Sequence, residues 1–134
     1  MTNDAVTHIP LQVSQGCVVG SIQVDLTEAI LQRFQHDLLE LLHTSGAKGV
    51  ILDLKGVDIM DVEDFDALRH TLSMASLMGA HAILVGLQPG VVSALTELDV
   101  NVEDIHAALT LDLAFEEMRQ VFATKHDARE DLRD

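Results

Sequence analysis

Two short, almost unbroken apolar runs constrain this chain more than any other feature in it. Residues 49–54 read GVILDL and residues 82–87 read AILVGL. A strand with one face in water alternates apolar and polar residues, whereas a run without alternation suits a strand buried on both faces of a sheet. The segments around these runs carry a different spacing. Ala29, Ile30, Phe34, Leu38, Leu41 and Leu42 recur at steps of three and four, and farther on Phe65, Leu68, Leu72, Ala75 and Met78 share one helical face. Asp25 or Thr27 is placed to cap the first helix at about Glu28, and Gly46 and Gly79 stop the two stripes. Alternating strands and helices of this kind make an α/β fold.

The flanks extend the pattern. Residues 9–13 alternate as a half-buried strand and residues 17–24 read as a second one, with a Ser14-Gln15-Gly16 link that suits a hairpin. Pro89 fits the first turn of a third helix with Val91, Val92, Leu95 and Leu98 as its apolar stripe. Ile105 and Ala107 to Leu109 make a brief strand-like piece. Thr110 then caps a last helix that turns Leu113, Ala114, Met118, Val121 and Phe122 inward. The predicted order is β-β-α-β-α-β-α-(β)-α: a mixed sheet with a leading hairpin, parallel in its later part, joined by right-handed crossovers, with about four helices packed on it. A chain of 134 residues has room for one such domain. It is expected over residues 9–123, after a flexible start at 1–8 and before a polar tail at 124–134 that projects or weakly extends the last helix.

Charge narrows the partners. Eight Lys and Arg stand against 22 Asp and Glu, a net charge of −14. Each phosphate contact wants a cation, so no nucleic acid is expected as a ligand, and anionic membrane surfaces repel such a chain. Trp and Tyr are absent and Phe numbers four, which leaves no stacking platform for bases. The lone Cys17 makes neither an internal disulfide nor a CxxC pair, and in its apolar run it is expected to be buried and inert. No apolar stretch approaches the ~20 residues of a membrane helix, and the opening MTNDAVTHIP is not that of a signal peptide. The expectation is a cytoplasmic protein.

Acids gather after the run at 49–54: Asp53, Asp58 and Asp61, then Glu63 and Asp64. Ligand sites in α/β sheets favour the carboxyl ends of strands. The sharp reading is a Mg²⁺ site for phosphoryl transfer or hydrolysis on Asp53, Asp58 and Asp61. The plainer one is a solvated loop leading into a helix, where acids complement the dipole. Lys55 is the only cation close in sequence, and phosphoryl chemistry usually needs more. The seven histidines form no HExxH pair, and His36 and His43, one heptad apart, are expected at the surface. No GxSxG elbow and no phosphate loop occurs. No motif calls for a metal, a cofactor or a catalytic residue.

The stretch Asp53-Leu54-Lys55-Gly56-Val57-Asp58-Ile59-Met60-Asp61, set in this element order, resembles the STAS domain family of anti-sigma-factor antagonists. So do Ile9-Pro10, Ser21-Ile22-Gln23 and residues 34–39. Met74 to Ala80 and the Gly86-Leu87-Gln88-Pro89 turn resemble its stressosome branch. The likeness spans residues 9–120. It implies a single STAS domain without catalysis, which docks a switch serine/threonine kinase of the RsbT type. It also implies assembly with a sensor STAS paralogue of the RsbR type, and self-association at least to a dimer. The docking surface it implies is Asp58, Asp61, Val62, Glu63 and the exposed face of the second helix. In the family a Ser or Thr follows the loop Asp and is phosphorylated to release the partner; the phosphate adds about −1.5 to −2 charges at the interface.

Here Asp61 matches the loop Asp, but Val62 stands where the hydroxyl belongs. Val62 either holds the protein in its unmodified, partner-binding state, or Glu63 and Asp64 mimic the modified one. We favour the first, because a carboxylate carries half the charge of a phosphate and neighbouring helical residues point elsewhere. Ser73, Ser76, Ser93 and Thr96 are the other hydroxyls in reach of a kinase, each readily explained as an ordinary helix-surface residue.

Overall fold

The structure is a computed structural model that describes residues 8–97 and 106–133, with side chains through residue 125. Residues 1–7, Leu98 and Ile105, to which the sequence reading assigned a flexible start, an apolar stripe and a strand, lie outside the described residues. The chain runs β1 (Leu11–Ser14), β2 (Cys17–Ser21), α1 (Glu28–Ser45), β3 (Gly49–Asp53), α2 (Val62–Leu77), β4 (His81–Val85), α3 (Pro89–Glu97), β5 (Ala107–Ala108) and α4 (Leu111–Arg133). Helix α4 thus continues through most of the segment read as a polar tail.

The strands lie side by side in chain order, β1-β2-β3-β4-β5. The β1–β2 pair is antiparallel and every later pair is parallel. Gln15 and Gly16 join the hairpin with φ of +53° and +78°, the two left-handed residues that a tight hairpin turn asks for. The three parallel crossovers all step in one direction, and right-handed crossovers that do so deliver their helices to one face. Accordingly Phe34, Leu38 and Leu42 of α1, Phe65 and Leu68 of α2, and Val91 and Leu95 of α3 share a core with Val18, Val50, Leu52 and Leu84. Helix α4, the last element among the described residues, folds back over the other face. There Ala114, Phe115 and Met118 meet Cys17, Val19, Ile51, Ile83 and Val85. Alternate strand residues therefore feed alternate cores, and both faces of β3 and β4 are dry. Gly49 makes the second core possible: a Cβ there would come within 2.8 Å of Met118 Sδ and 2.9 Å of Cys17 Sγ.

Strand ends differ from the sequence reading for local reasons. Strand β2 stops at Ser21 because its partner Asp53 ends β3; a last bond runs from Ile22 N to Asp53 O at 3.0 Å, and residues 23–24 have no ladder left to join. Strand β4 ends at Val85 because Gly86 turns to φ +70°. Pro10, which lacks an N–H, precedes β1, and Ile9 is buried without being in a strand.

Helix caps match the reading. Thr27 Oγ1 accepts from Ile30 N at 3.2 Å, Gly46 closes α1 in a left-handed conformation, and Thr110 Oγ1 accepts from Leu113 N at 3.2 Å. Four inward assignments need correction; one is Val92, 45 % exposed on α3 beside the buried Val91. Ala29 is exposed in the first turn of α1, where Leu31 is buried instead. Met78 is the C-cap of α2, leaves the helical stripe and is 41 % exposed. Leu113 is 48 % exposed, because α4 turns Ala114, Phe115 and Met118 to the sheet.

Candidate functional site

The carboxyl ends of β2, β3 and β4 release three loops on one side of the sheet, and the loop from β3 to α2 is the most built of them. It starts at Asp53, whose Oδ1 accepts the Lys55 N–H at 2.9 Å while Oδ2 lies 4.0 Å from Lys55 Nζ. Leu54 N donates to Val85 O at 2.8 Å, and Val57 N to Leu54 O at 3.0 Å closes a turn. Gln88 Nε2 donates to Lys55 O at 2.7 Å and ties in the loop after β4. Gly86 is required beneath this tie, since its φ is left-handed and a Cβ would collide with the Lys55 stem. Gly56 is required on the other side, where a Cβ would come 3.0 Å from Ile22 O.

Val57 and Met60 are buried and pin the loop from below, so Asp58 and Ile59 between them stand clear of the sheet. Ile59 is 88 % exposed. A cleft lined by Gln23 to Leu26, Gly56 to Ile59 and Asp64 runs along this rim. Sequence reasoning missed Ile59, whose only signal was an isoleucine beside an acid in a predicted loop.

Asp61 ends the loop with extended backbone, φ −85° and ψ 172°, and caps α2: its Oδ1 accepts from Asp64 N at 2.8 Å. Val62 is the first residue of the helix and is half-buried; Asp58, Asp61 and Glu63 are exposed and Asp64 is half-buried. Burial, and then the charge of Asp61, push the Asp64 carboxyl above its ordinary value. Asp58, Asp61, Val62 and Glu63 thus follow one another along a rim from loop apex to helix start, interrupted by the buried Met60. Of the hydroxyls considered, Ser73, Ser76 and Ser93 are exposed, and Thr96 donates to Val92 O at 2.9 Å within α3.

The acids do not assemble a cation site. One oxygen of Asp53 is bound into its turn and one oxygen of Asp61 into the cap. Among the described residues, the only three His, Cys, Asp or Glu whose donor atoms lie within 4.8 Å of one another are His81, His106 and Glu117, far from this rim. Asp53 and Asp61 each have one oxygen committed to a turn and a helix start, and Asp58 is exposed on the loop between them. Cys17 is a free, buried thiol, and its burial pushes its pKa up to about 11. His36 and His43 are both exposed.

A mixed five-stranded sheet, helices of three crossovers on one face and a returning helix on the other define a single α/β module with a capped acidic segment beyond β3. The STAS domain model matches residues 8–128, and the chain belongs to that family. No curated protein sequence matches it. Among solved structures, a serine-to-glutamate variant of RsbS from Moorella thermoacetica is similar over 86 % of this chain and 97 % of that one, with 22 % identity and a TM-score of 0.74. A chain from a structure of the stressosome, described there as a signal integration and transduction hub, aligns over 84 % and 97 %, with 22 % identity and a TM-score of 0.73. The antagonist SpoIIAA in its unphosphorylated form aligns over 84 % and 96 %, with 14 % identity and a TM-score of 0.67. Among the described residues, no helix is long and apolar enough to cross a membrane.

Proposed function

We propose that the protein is a non-enzymatic regulatory scaffold of a stressosome-type complex in the cytoplasm. On this reading it binds a switch serine/threonine kinase through the rim Asp58, Asp61, Val62 and Glu63, extended by Ile59. It assembles with a sensor STAS paralogue and with further copies of itself. The observation that carries the reading is the place of Val62. It follows the capping Asp61 directly, at the first position of α2, where a phosphorylated hydroxyl would meet the helix N-terminus. Val62 offers no oxygen, so the rim keeps one state. An apolar residue there can pack against a partner, flanked by exposed carboxylates that favour a basic surface opposite.

The test uses the switch kinase and ATP from the same organism. The unaltered protein should take up no phosphate, whereas Val62→Ser should be labelled on the introduced hydroxyl. Stoichiometric labelling of the unaltered chain at Ser73, Ser76, Ser93 or Thr96 would move the switch elsewhere. Calorimetry at fixed salt then separates the two readings of Val62. Tight binding that drops by several kcal/mol in Val62→Asp supports a permanent binding state, because an unpaired charge enters a desolvated contact. Weak binding that Glu63→Gln or Asp64→Asn restores would mean that the acids mimic a phosphate.

A further inference from the structure

The second face of the sheet brings together three side chains that the docking rim does not use. His81 opens β4, His106 lies immediately before β5, and Glu117 is on α4. Parallel pairing puts Leu84 beside Ala107, so His106 falls level with Ile83 and takes the face that Ile83 and His81 share. That face is the one α4 covers, and Glu117 sits next to the buried Met118. One donor atom from each of the three residues lies within 4.8 Å of the other two. The two imidazole rings stand 4.5 Å apart at a tilt of 48°. His81 Nε2 is shut off from water and has no hydrogen-bond partner. A buried ring nitrogen without a partner is costly, and such an atom calls for a water, an ion or a ligand to satisfy it.

We propose that His81, His106 and Glu117 bind one borderline transition-metal ion, Zn²⁺ above all, through two imidazoles and one carboxylate with the fourth position open to water. The donor set suits that ion: imidazole favours Zn²⁺, Ni²⁺ and Cu²⁺ over Mg²⁺ and Ca²⁺, and three protein ligands with one open place are an established zinc arrangement. Bonds of about 2.0–2.1 Å in a tetrahedron put ligands ~3.3 Å apart. Each pair must therefore close by at most ~1.5 Å, which needs rotation of the Glu117 side chain as well as of the exposed His106. Lys125 and Arg69 line the adjoining cleft beside His81 and His106 and oppose a cation, which sets a ceiling on the affinity. The ion would fasten the two-residue edge strand β5 and helix α4 to β4. Metal availability would then bear on the end of the sheet away from the docking rim.

The experiment is titration of the purified full chain with Zn²⁺ by calorimetry, in buffer holding millimolar Mg²⁺ to occupy the surface carboxylates. Co²⁺ serves as the optical probe, because a four-coordinate site develops strong visible absorption. The expected result is one equivalent bound with a Kd in the micromolar range or tighter. Affinity should fall at least tenfold in His106→Ala and in Glu117→Gln, rise in Lys125→Ala, and stay unchanged in His36→Ala. At 100 times the Kd, the melting midpoint should rise by roughly 8–14 °C. His106 is exposed, so its removal tests the site without opening the core. No saturable binding up to 100-fold excess over a micromolar Kd would overturn the proposal. So would binding that survives both His106→Ala and Glu117→Gln, or that falls equally in His36→Ala.

Discussion

Replacing Asp61 separates what this residue does for the helix from what it offers a partner. Its Oδ1 accepts the Asp64 N–H at 2.8 Å, and its extended backbone lets its own carbonyl accept from Phe65 N at 3.0 Å. Asp61→Ala keeps the second bond and deletes the first. Loss of an N-cap costs about 1 kcal/mol within a range of 0.5–2. For a domain between the sizes usually tabulated, that lowers the melting midpoint by roughly 3–5 °C. Asp61→Asn keeps the amide oxygen in the same place, and Asn caps as well as Asp. It gives up about 0.3–1 kcal/mol of charge–dipole attraction, but it also removes repulsion from the carboxylates at positions 63 and 64. The net change should stay within ~0.5 kcal/mol of zero. Urea unfolding of the three proteins at fixed salt reads this order directly, through midpoints at constant slope. A midpoint for Asp61→Ala equal to that of the unaltered chain would refute the capping argument. So would Asp61→Asn as unstable as Asp61→Ala. Kinase affinity adds a second axis: the proposal expects Asp61→Asn to bind more weakly while remaining fully stable.

Asp64 sets a pH dependence. Its folded-state pKa is raised by burial and by Asp61, so the folded chain holds this proton more tightly than the unfolded chain. The associated stability is present below the ordinary carboxylate range and is lost as pH rises through the folded value. Asp64→Asn should therefore stabilise the protein at pH 7, with a gain that vanishes near about pH 3 in parallel melts; a loss at pH 7 would contradict it. Cys17, with its pKa near 11 and no exposed surface, should react with a thiol reagent at pH 8 orders of magnitude more slowly in the native state than in urea. Gly49→Ala should cost about 1–3 kcal/mol by overpacking against Met118 and Cys17. A double-mutant cycle should show that cost reduced in a Met118→Ala background.

The sequence carried much of the fold because its signals are local. An apolar run without alternation is already a strand with two dry faces, and residues 49–54 and 82–87 proved to be the centre of the sheet. Thr27, Gly46 and Thr110 act within a few residues of themselves and were legible for that reason. Asp58, Asp61, Val62 and Glu63 were singled out by the family resemblance, and Asp58, Asp61 and Glu63 prove exposed and Val62 half-buried. Ile59 was not singled out, since only the burial of Val57 and Met60 around it decides that it stands outside.

Which side of a helix meets the sheet is a different kind of fact. Leu113 and Phe115 are equally apolar neighbours, and only the position of α4 over Ile51, Ile83 and Val85 buries the second and exposes the first. Acids that sit close in sequence turned out to be occupied separately, one in a turn and one in a cap, because backbone N–H groups nearby claimed their oxygens. His81, His106 and Glu117 show the converse. They are distant in sequence and carry no spacing that a linear reading detects. The composition and periodicity of the chain determined its strands and helices; parallel register and the return of α4 across the sheet decided which distant side chains meet, because pairing and packing act through space on residues the chain keeps apart.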